Sequence, residues 1–148
     1  MALWAAPAVA DIYTRLDGVL AAVRLIQQEQ PGPLLVGLPG QAVAEDFTRL
    51  LQAVDKAWLQ TMVAPDEAAL QRGLLHSGVP CGVLVQRYGR RGYEARPQCV
   101  SSQPVTMVLL DGQELRGEAS PGEPGTLLLA LERGAPLVVP LEVIEVLR

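Results

Sequence analysis

The densest chemistry in the sequence is Arg87-Tyr88-Gly89-Arg90-Arg91-Gly92-Tyr93, with Arg96 just beyond it. A guanidinium is a planar fork of donors that matches a carboxylate or a phosphate, and a tyrosine ring stacks on an exposed base or anchors a protein partner. Arg87, Tyr88, Arg90, Arg91, Tyr93 and Arg96 are therefore the candidate partner-binding residues. The plainer alternative is an exposed hairpin whose arginines keep it soluble and pair with Glu94. From Arg87 to Arg96, four arginines against one glutamate leave a local balance of +3, whereas residues 111–148 carry seven acids against three arginines, a balance of −4.

Elsewhere the residue types assemble no reaction centre. Cys81 and Cys99 are the only cysteines and His76 the only histidine, too few for a zinc site built from Cys and His alone. Neither cysteine stands in a Cys-x-x-Cys pair, and the nearness of Cys81 to His76 in the chain does not make a nucleophile and base. A disulfide would need a fold that brings the two together, and an intracellular chain keeps such thiols reduced, so free, small, buried thiols are expected. His76 falls at the carboxyl end of a helix, where the dipole or a cap accounts for it. Gly37-Leu38-Pro39-Gly40 follows a strand, where the free donors of a helix start can meet an anion. It lacks both the Gly-x-Gly-x-x-Gly spacing and the Lys-Ser/Thr of a P-loop, and so reads as a structural turn. Asp11 and Asp17, Glu45 and Asp46, and Asp66 and Glu67 read as caps and solvated helix faces. No catalytic, cofactor-binding or metal-binding residue is assigned, no cofactor is expected, and the chain reads as no enzyme.

The 148 residues match one typical domain. Hydrophobic residues at 49% against 19% charged supply a real core and exclude global disorder. Sixteen acids against twelve bases give a net charge of −4, which disfavours a long nucleic-acid track held by counterion release and leaves room for a small RNA-binding face. Lys56 is the sole lysine, and the six aromatics leave the core to Leu, Val and Ala. Residues 1–10 end in Ala-Val-Ala like a signal-peptidase site, but a basic leader is lacking, Pro7 intervenes and the apolar run is short, so no secretion signal is read. Apolar stretches break well before about 18 residues, so no membrane span or membrane partner is expected.

The elements that must position the arginine-tyrosine cluster follow from periodicity. Asp11 can cap a helix beginning near Ile12, with Leu16, Val19, Leu20, Val23 and Ile26 inward, stopped by Pro31-Gly32-Pro33. Leu34–Leu38 reads as a buried strand, and a helix from about Gln41 to Trp58 puts Val43, Phe47, Leu50, Leu51, Val54 and Trp58 on one side. Leu59–Val63 is a strand, Pro65-Asp66 opens a helix with Leu70, Leu74 and Leu75, and Ser77-Gly78 ends it before a strand at Val79–Gln86. That order calls for a parallel layer crossed by helices. Tyr88–Tyr93 then turns the chain, and Glu94–Val100 returns as an edge segment. Val105–Leu110, Asp111-Gly112 and Glu114–Glu118 form a hairpin. The Gly and Pro residues of 121–125 are a connection, Thr126–Leu131 fits helix or strand, and Pro140 opens a helix or a strand over Leu141–Leu147. The expected class is α/β: a single small three-layer domain over residues 1–148, its sheet mostly parallel with antiparallel additions toward the C-terminus. Residues 32–100 form the α/β region and 101–148 a sheet or helix extension.

From Gly32-Pro33-Leu34-Leu35-Val36, through the helix at Ala42–Ala57, to Gly78-Val79-Pro80-Cys81-Gly82-Val83-Leu84-Val85, the chain resembles the anticodon-binding domain of class II aminoacyl-tRNA synthetases. It is especially similar to the degenerate form typified by nuclear receptor coactivator 5. The resemblance covers about residues 32–100 and rests on element order and a Gly-x-Pro strand entrance. It implies a small α/β layer for RNA or protein recognition without a catalytic centre, reading tRNA in the synthetases and serving transcriptional regulation in the degenerate branch. The acidic balance and the single lysine depart from a tRNA reader.

The leading expectation is a non-enzymatic protein-recognition domain in an intracellular regulatory complex, nuclear or cytoplasmic. Alternatives are an RNA-binding module and a structural subunit that buries its C-terminal apolar segment in a homo- or hetero-oligomer.

Overall fold

A computed structural model of the chain describes residues 12–30, 32–54, 58–90 and 92–148. The fold is mixed α/β, and the chain divides into two compact units, one made of residues up to 70 together with 81–98, the other of 71–80 and 99–148.

The first unit runs β1 (Ile12–Tyr13), α1 (Leu16–Glu29), β2 (Leu34–Leu38), α2 (Gln41–Leu51), β3 (Leu59–Val63), the opening of α3 (Glu67–Ser77), β4 (Cys81–Tyr88) and β5 (Gly92–Cys99). Its five strands are ordered β1-β5-β4-β2-β3. β2 lies parallel to β3, with Leu34 beside Leu59, and parallel to β4, with Leu34 beside Cys81. All five residues of β2 are buried, as a central strand covered on both faces requires. On one face Val19 and Val23 of α1 and Phe47 and Leu51 of α2 pack on Val36, Val83 and Val85. On the other, a Cβ at Gly37 would stand 2.8 Å from Ala64 Cβ and 3.2 Å from Leu70 Cδ1, so only glycine fits that approach.

Four expectations change here. The first helix starts at Leu16, not Ile12, because Ile12 and Tyr13 pair antiparallel with Glu94 and Tyr93; Arg15 at its start makes no side-chain cap, and Asp11 lies outside the described residues. That pairing also places β5 inside the sheet rather than at its edge. Helix α2 stops at Leu51 instead of Trp58; Trp58 immediately precedes β3, its carbonyl accepting from Leu34 N at 2.8 Å. Val54 and Trp58 are consequently exposed, and residues 55–57, Lys56 among them, lie outside the described residues. Cys81 and Cys99 are not free buried thiols: both are disulfide-bonded, Cys81 half-buried as the first residue of β4 and Cys99 exposed as the last of β5.

The second unit is a meander of β6 (Gln103–Leu109), β7 (Glu114–Pro121), β8 (Thr126–Ala130), β9 (Leu137–Pro140), a 3-10 turn (Leu141–Val143) and β10 (Ile144–Leu147), ordered β10-β6-β7-β8-β9. The period of two is plain: Val105, Met107, Ala119, Leu127, Leu129 and Val139 point to one core with Leu75 of α3. Thr106, Arg116, Glu118 and Val138 take the opposite positions. Asp111-Gly112 makes the expected turn, with Gly112 at φ +87° and Gln113 N donating to Asp111 Oδ1 at 2.9 Å. Residues 126–130 resolve to strand, and the terminal segment to a 3-10 turn followed by a strand on β6. All described pairings in this sheet are antiparallel, and the first sheet is mixed. Two sheets therefore replace the single, mostly parallel one extended at its C-terminal end.

Candidate functional site

The arginine-tyrosine cluster sits where β4 runs out of its sheet and turns into β5. Val83 and Val85 of β4 are buried in the first unit's core, and alternation sends Arg87 to the same side, two residues beyond the last buried valine. There its guanidinium carbon lies 5.4 Å from the centroid of the Tyr93 ring, within cation–π range. Tyr93 is half-buried and packs on that core, so the ring is a fixed platform for the Arg87 charge.

The remaining candidates do not join this pair. Tyr88, next along β4, turns to the opposite side of the sheet and is 49% exposed. Arg90 is exposed in the turn, and Arg91 lies outside the described residues. On β5, Tyr93 and Ala95 face the core, so Glu94 and Arg96 point the other way. Arg96 Nε donates to Glu94 Oε1 at 2.7 Å, the carboxylate only 12% exposed and the guanidinium 57%. That hydrogen bond, then the charge of Glu94, raises the Arg96 pKa above its ordinary value, with Glu67 of α3 adding to the rise. Arg96 is thus occupied, and the four candidates that lie on strands divide between two faces of one sheet, Arg87 and Tyr93 on one and Tyr88 and Arg96 on the other.

The side bearing Tyr93 carries a feature with no sequence signature. An open cleft of about 490 Å³ beside the ring is lined by Arg15 and Asp17 at the start of α1 and by Asp46 and Arg49 of α2. Arg15 Nε stands 3.5 Å from Asp17 Oδ1, and Arg49 pairs with Asp46 one helical turn away. In the sequence Asp17 and Asp46 read as caps and solvated helix faces, and Arg15 and Arg49 belong to no motif; only the packing of α1 on α2 gathers the four at Tyr93. A second open cleft, about 580 Å³, runs between α2 and the edge strand β3. Its polar groups are engaged locally: Gln41 Nε2 donates to Glu45 at 3.3 Å, and Thr48 Oγ1 to Ala44 O at 2.8 Å.

His76 is exposed in the last turn of α3, and Gly40 starts α2 in an extended conformation with its carbonyl accepting from Ala44 N at 2.9 Å. Among the described residues no cluster of three or more His, Cys, Asp or Glu could hold a metal ion, and no helix is long and apolar enough to cross a membrane. Comparison with family models, curated proteins and solved structures yields no match to this chain.

Proposed function

We propose that the chain is a non-enzymatic protein-recognition module and that the Arg87–Tyr93 side of the β4–β5 hairpin is its contact surface. One observation carries the reading: Arg87 is exposed, rests on a fixed aromatic ring, and has no ion-pair partner among the described residues. Arginine and tyrosine are the residue types that concentrate binding energy at protein interfaces. A charge already stacked on its platform loses little conformational freedom when a partner arrives. The three-layer arrangement belongs to this reading, with α1 and α2 backing one face of the first sheet and Leu70 of α3 reaching the other. So does a regulatory complex inside the cell, which the resemblance to the anticodon-binding family implies.

RNA is the competing ligand, through stacking on Tyr88 beside Arg90. Tyr88 lies on the opposite face from Arg87 and Tyr93, Arg90 lies in the turn, and neither lines the cleft beside Tyr93, which makes the readings separable. Native affinity purification, followed by mass spectrometry and RNA sequencing, is run on the wild-type chain, on Arg87→Ala/Tyr93→Leu and on Tyr88→Ala/Arg90→Ala. Protein partners lost from the first variant and kept by the second support the proposal. Partners unaffected by the first variant, or enrichment of RNA alone, overturn it.

A further inference from the structure

Resting on that reading, we propose that the cleft beside Tyr93 binds an acidic, extended peptide segment, with a carboxylate of the peptide seated on Arg87 and the flanking residues lying along the cleft wall. Among the described residues, Arg15 and Arg49 line the cleft with Tyr93 and Arg87 stands over the Tyr93 ring, three guanidinium groups against the two cleft carboxylates of Asp17 and Asp46, a local balance of +1. Arg15 and Arg49 each have an acidic neighbour inside the cleft, whereas Arg87 is paired with a ring and not with a charge. The uncompensated cation therefore calls for one anionic group, and a guanidinium takes a carboxylate through two parallel hydrogen bonds.

The same two aspartates decide between ligand classes. A nucleic-acid strand brings a phosphate at every step and would set some of them against Asp17 and Asp46, a repulsion screened only over about 8–10 Å at ordinary salt. An acidic peptide places its carboxylates singly, separated by neutral residues that tolerate the aspartates. Leu16 and Leu50 on the cleft wall supply apolar contact for such neutral positions.

The test is fluorescence anisotropy on the full chain, with a fluorescein-labelled dodecapeptide of Glu-Leu-Ser repeats, its Gln-Leu-Ser counterpart, and labelled oligouridylate. The glutamate peptide is expected to bind at least about tenfold more tightly than the glutamine peptide, the size of one charge-assisted hydrogen-bonded contact. Arg87→Ala is expected to remove that preference. Asp17→Asn and Asp46→Asn are expected to tighten the glutamate peptide severalfold, a gain that a merely structural role for these residues would not produce. Equal binding of the two peptides, an unchanged preference in Arg87→Ala, or tighter binding of oligouridylate overturns the proposal. If the peptides fail while purified protein partners still depend on Arg87 and Tyr93, the partner chemistry is wrong and the recognition surface stands. If both fail, the surface falls with it.

Discussion

The Arg87 guanidinium sits 5.4 Å from the centre of the Tyr93 ring, and Tyr93 in turn pairs backbone to backbone with Tyr13 of β1. The charge at the hairpin is therefore held by a residue that belongs to the sheet and its core. An exposed cation over an aromatic ring is worth about 0.5–1 kcal/mol. Arg87→Ala should lower stability by no more than this while abolishing partner capture; urea unfolding beside the affinity purification separates the two effects. A loss of several kcal/mol would make Arg87 a structural residue.

Gly37 is the fourth of the five residues of β2, where a methyl group would meet Ala64 at 2.8 Å. Gly37→Ala should destabilise the fold by about 1–3 kcal/mol, the usual cost of overpacking a close-packed interior. A lowered urea midpoint with an unchanged slope is the expected result. An unaltered midpoint would mean that β2 and the chain around Ala64 and Leu70 are less tightly packed than described.

Met107 on β6 is fully buried in the second unit's core, whereas Val138 on β9 is 63% exposed on the other side of the same sheet. Met107→Ala should cost about 2–5 kcal/mol through lost transfer energy and the cavity left behind. Val138→Ala should stay within about 0.5 kcal/mol. Thermal unfolding of both variants tests the register: a reversed order of the two effects would mean that the strand alternation is shifted by one residue.

Asp66 Oδ1 accepts from Ala69 N at 2.8 Å at the start of α3. Asp66→Ala should cost about 0.5–2 kcal/mol, and Asp66→Asn, which keeps an acceptor oxygen, should cost less. Chemical denaturation of the two variants reads the difference. Equal losses would assign the stabilisation to the charge near the helix start instead of to the hydrogen bond.

Cys81 and Cys99 are both disulfide-bonded. Maleimide labelling of the denatured, unreduced protein should modify neither residue, and labelling after reduction should modify both, with a melting temperature several degrees lower in the reduced form. Disulfides persist in oxidising compartments and are rare in the nucleus and cytosol. Alkylation inside cells therefore also tests the nuclear or cytoplasmic setting of the proposed complex, which calls for a reduced pair.

The strands Leu34–Leu38 and Leu59–Val63 are legible in the sequence to the residue; the first is a short apolar run bounded by Gly and Pro on both sides, which has few alternatives, and the second ends just before Ala64-Pro65. The Asp111-Gly112 hairpin is equally legible from its turn. Less could be read where a local preference competes with a distant partner. Ile12 and Tyr13 suit the helix that follows them, but Glu94 and Tyr93, some eighty residues later, claim them as a strand. Val54 and Trp58 continue the period of α2, yet the alignment of Leu59 with Leu34 draws the chain out of the helix first. At the candidate site, the residue types of the hairpin were legible, and the division of Arg87 and Tyr93 from Tyr88 and Arg96 followed from alternation once β4 and β5 were placed. Arg15, Asp17, Asp46 and Arg49 were not, because each pair reads by itself as an ordinary helix surface.

The sequence by itself determined the mixed α/β class, the order of the helices and strands from residue 34 to about 100, and the gathering of arginine and tyrosine at one turn. These depend on periodicity, on backbone-restricted residues and on neighbours in the chain, all of which act over a few positions. Only the tertiary structure decided that there are two sheets, that both cysteines are bonded, and that Arg87 stands over Tyr93 beside a cleft walled by two helices. Those features arise from strand pairing and helix packing between distant segments, where the free energy comes from burying surfaces that no local pattern brings together.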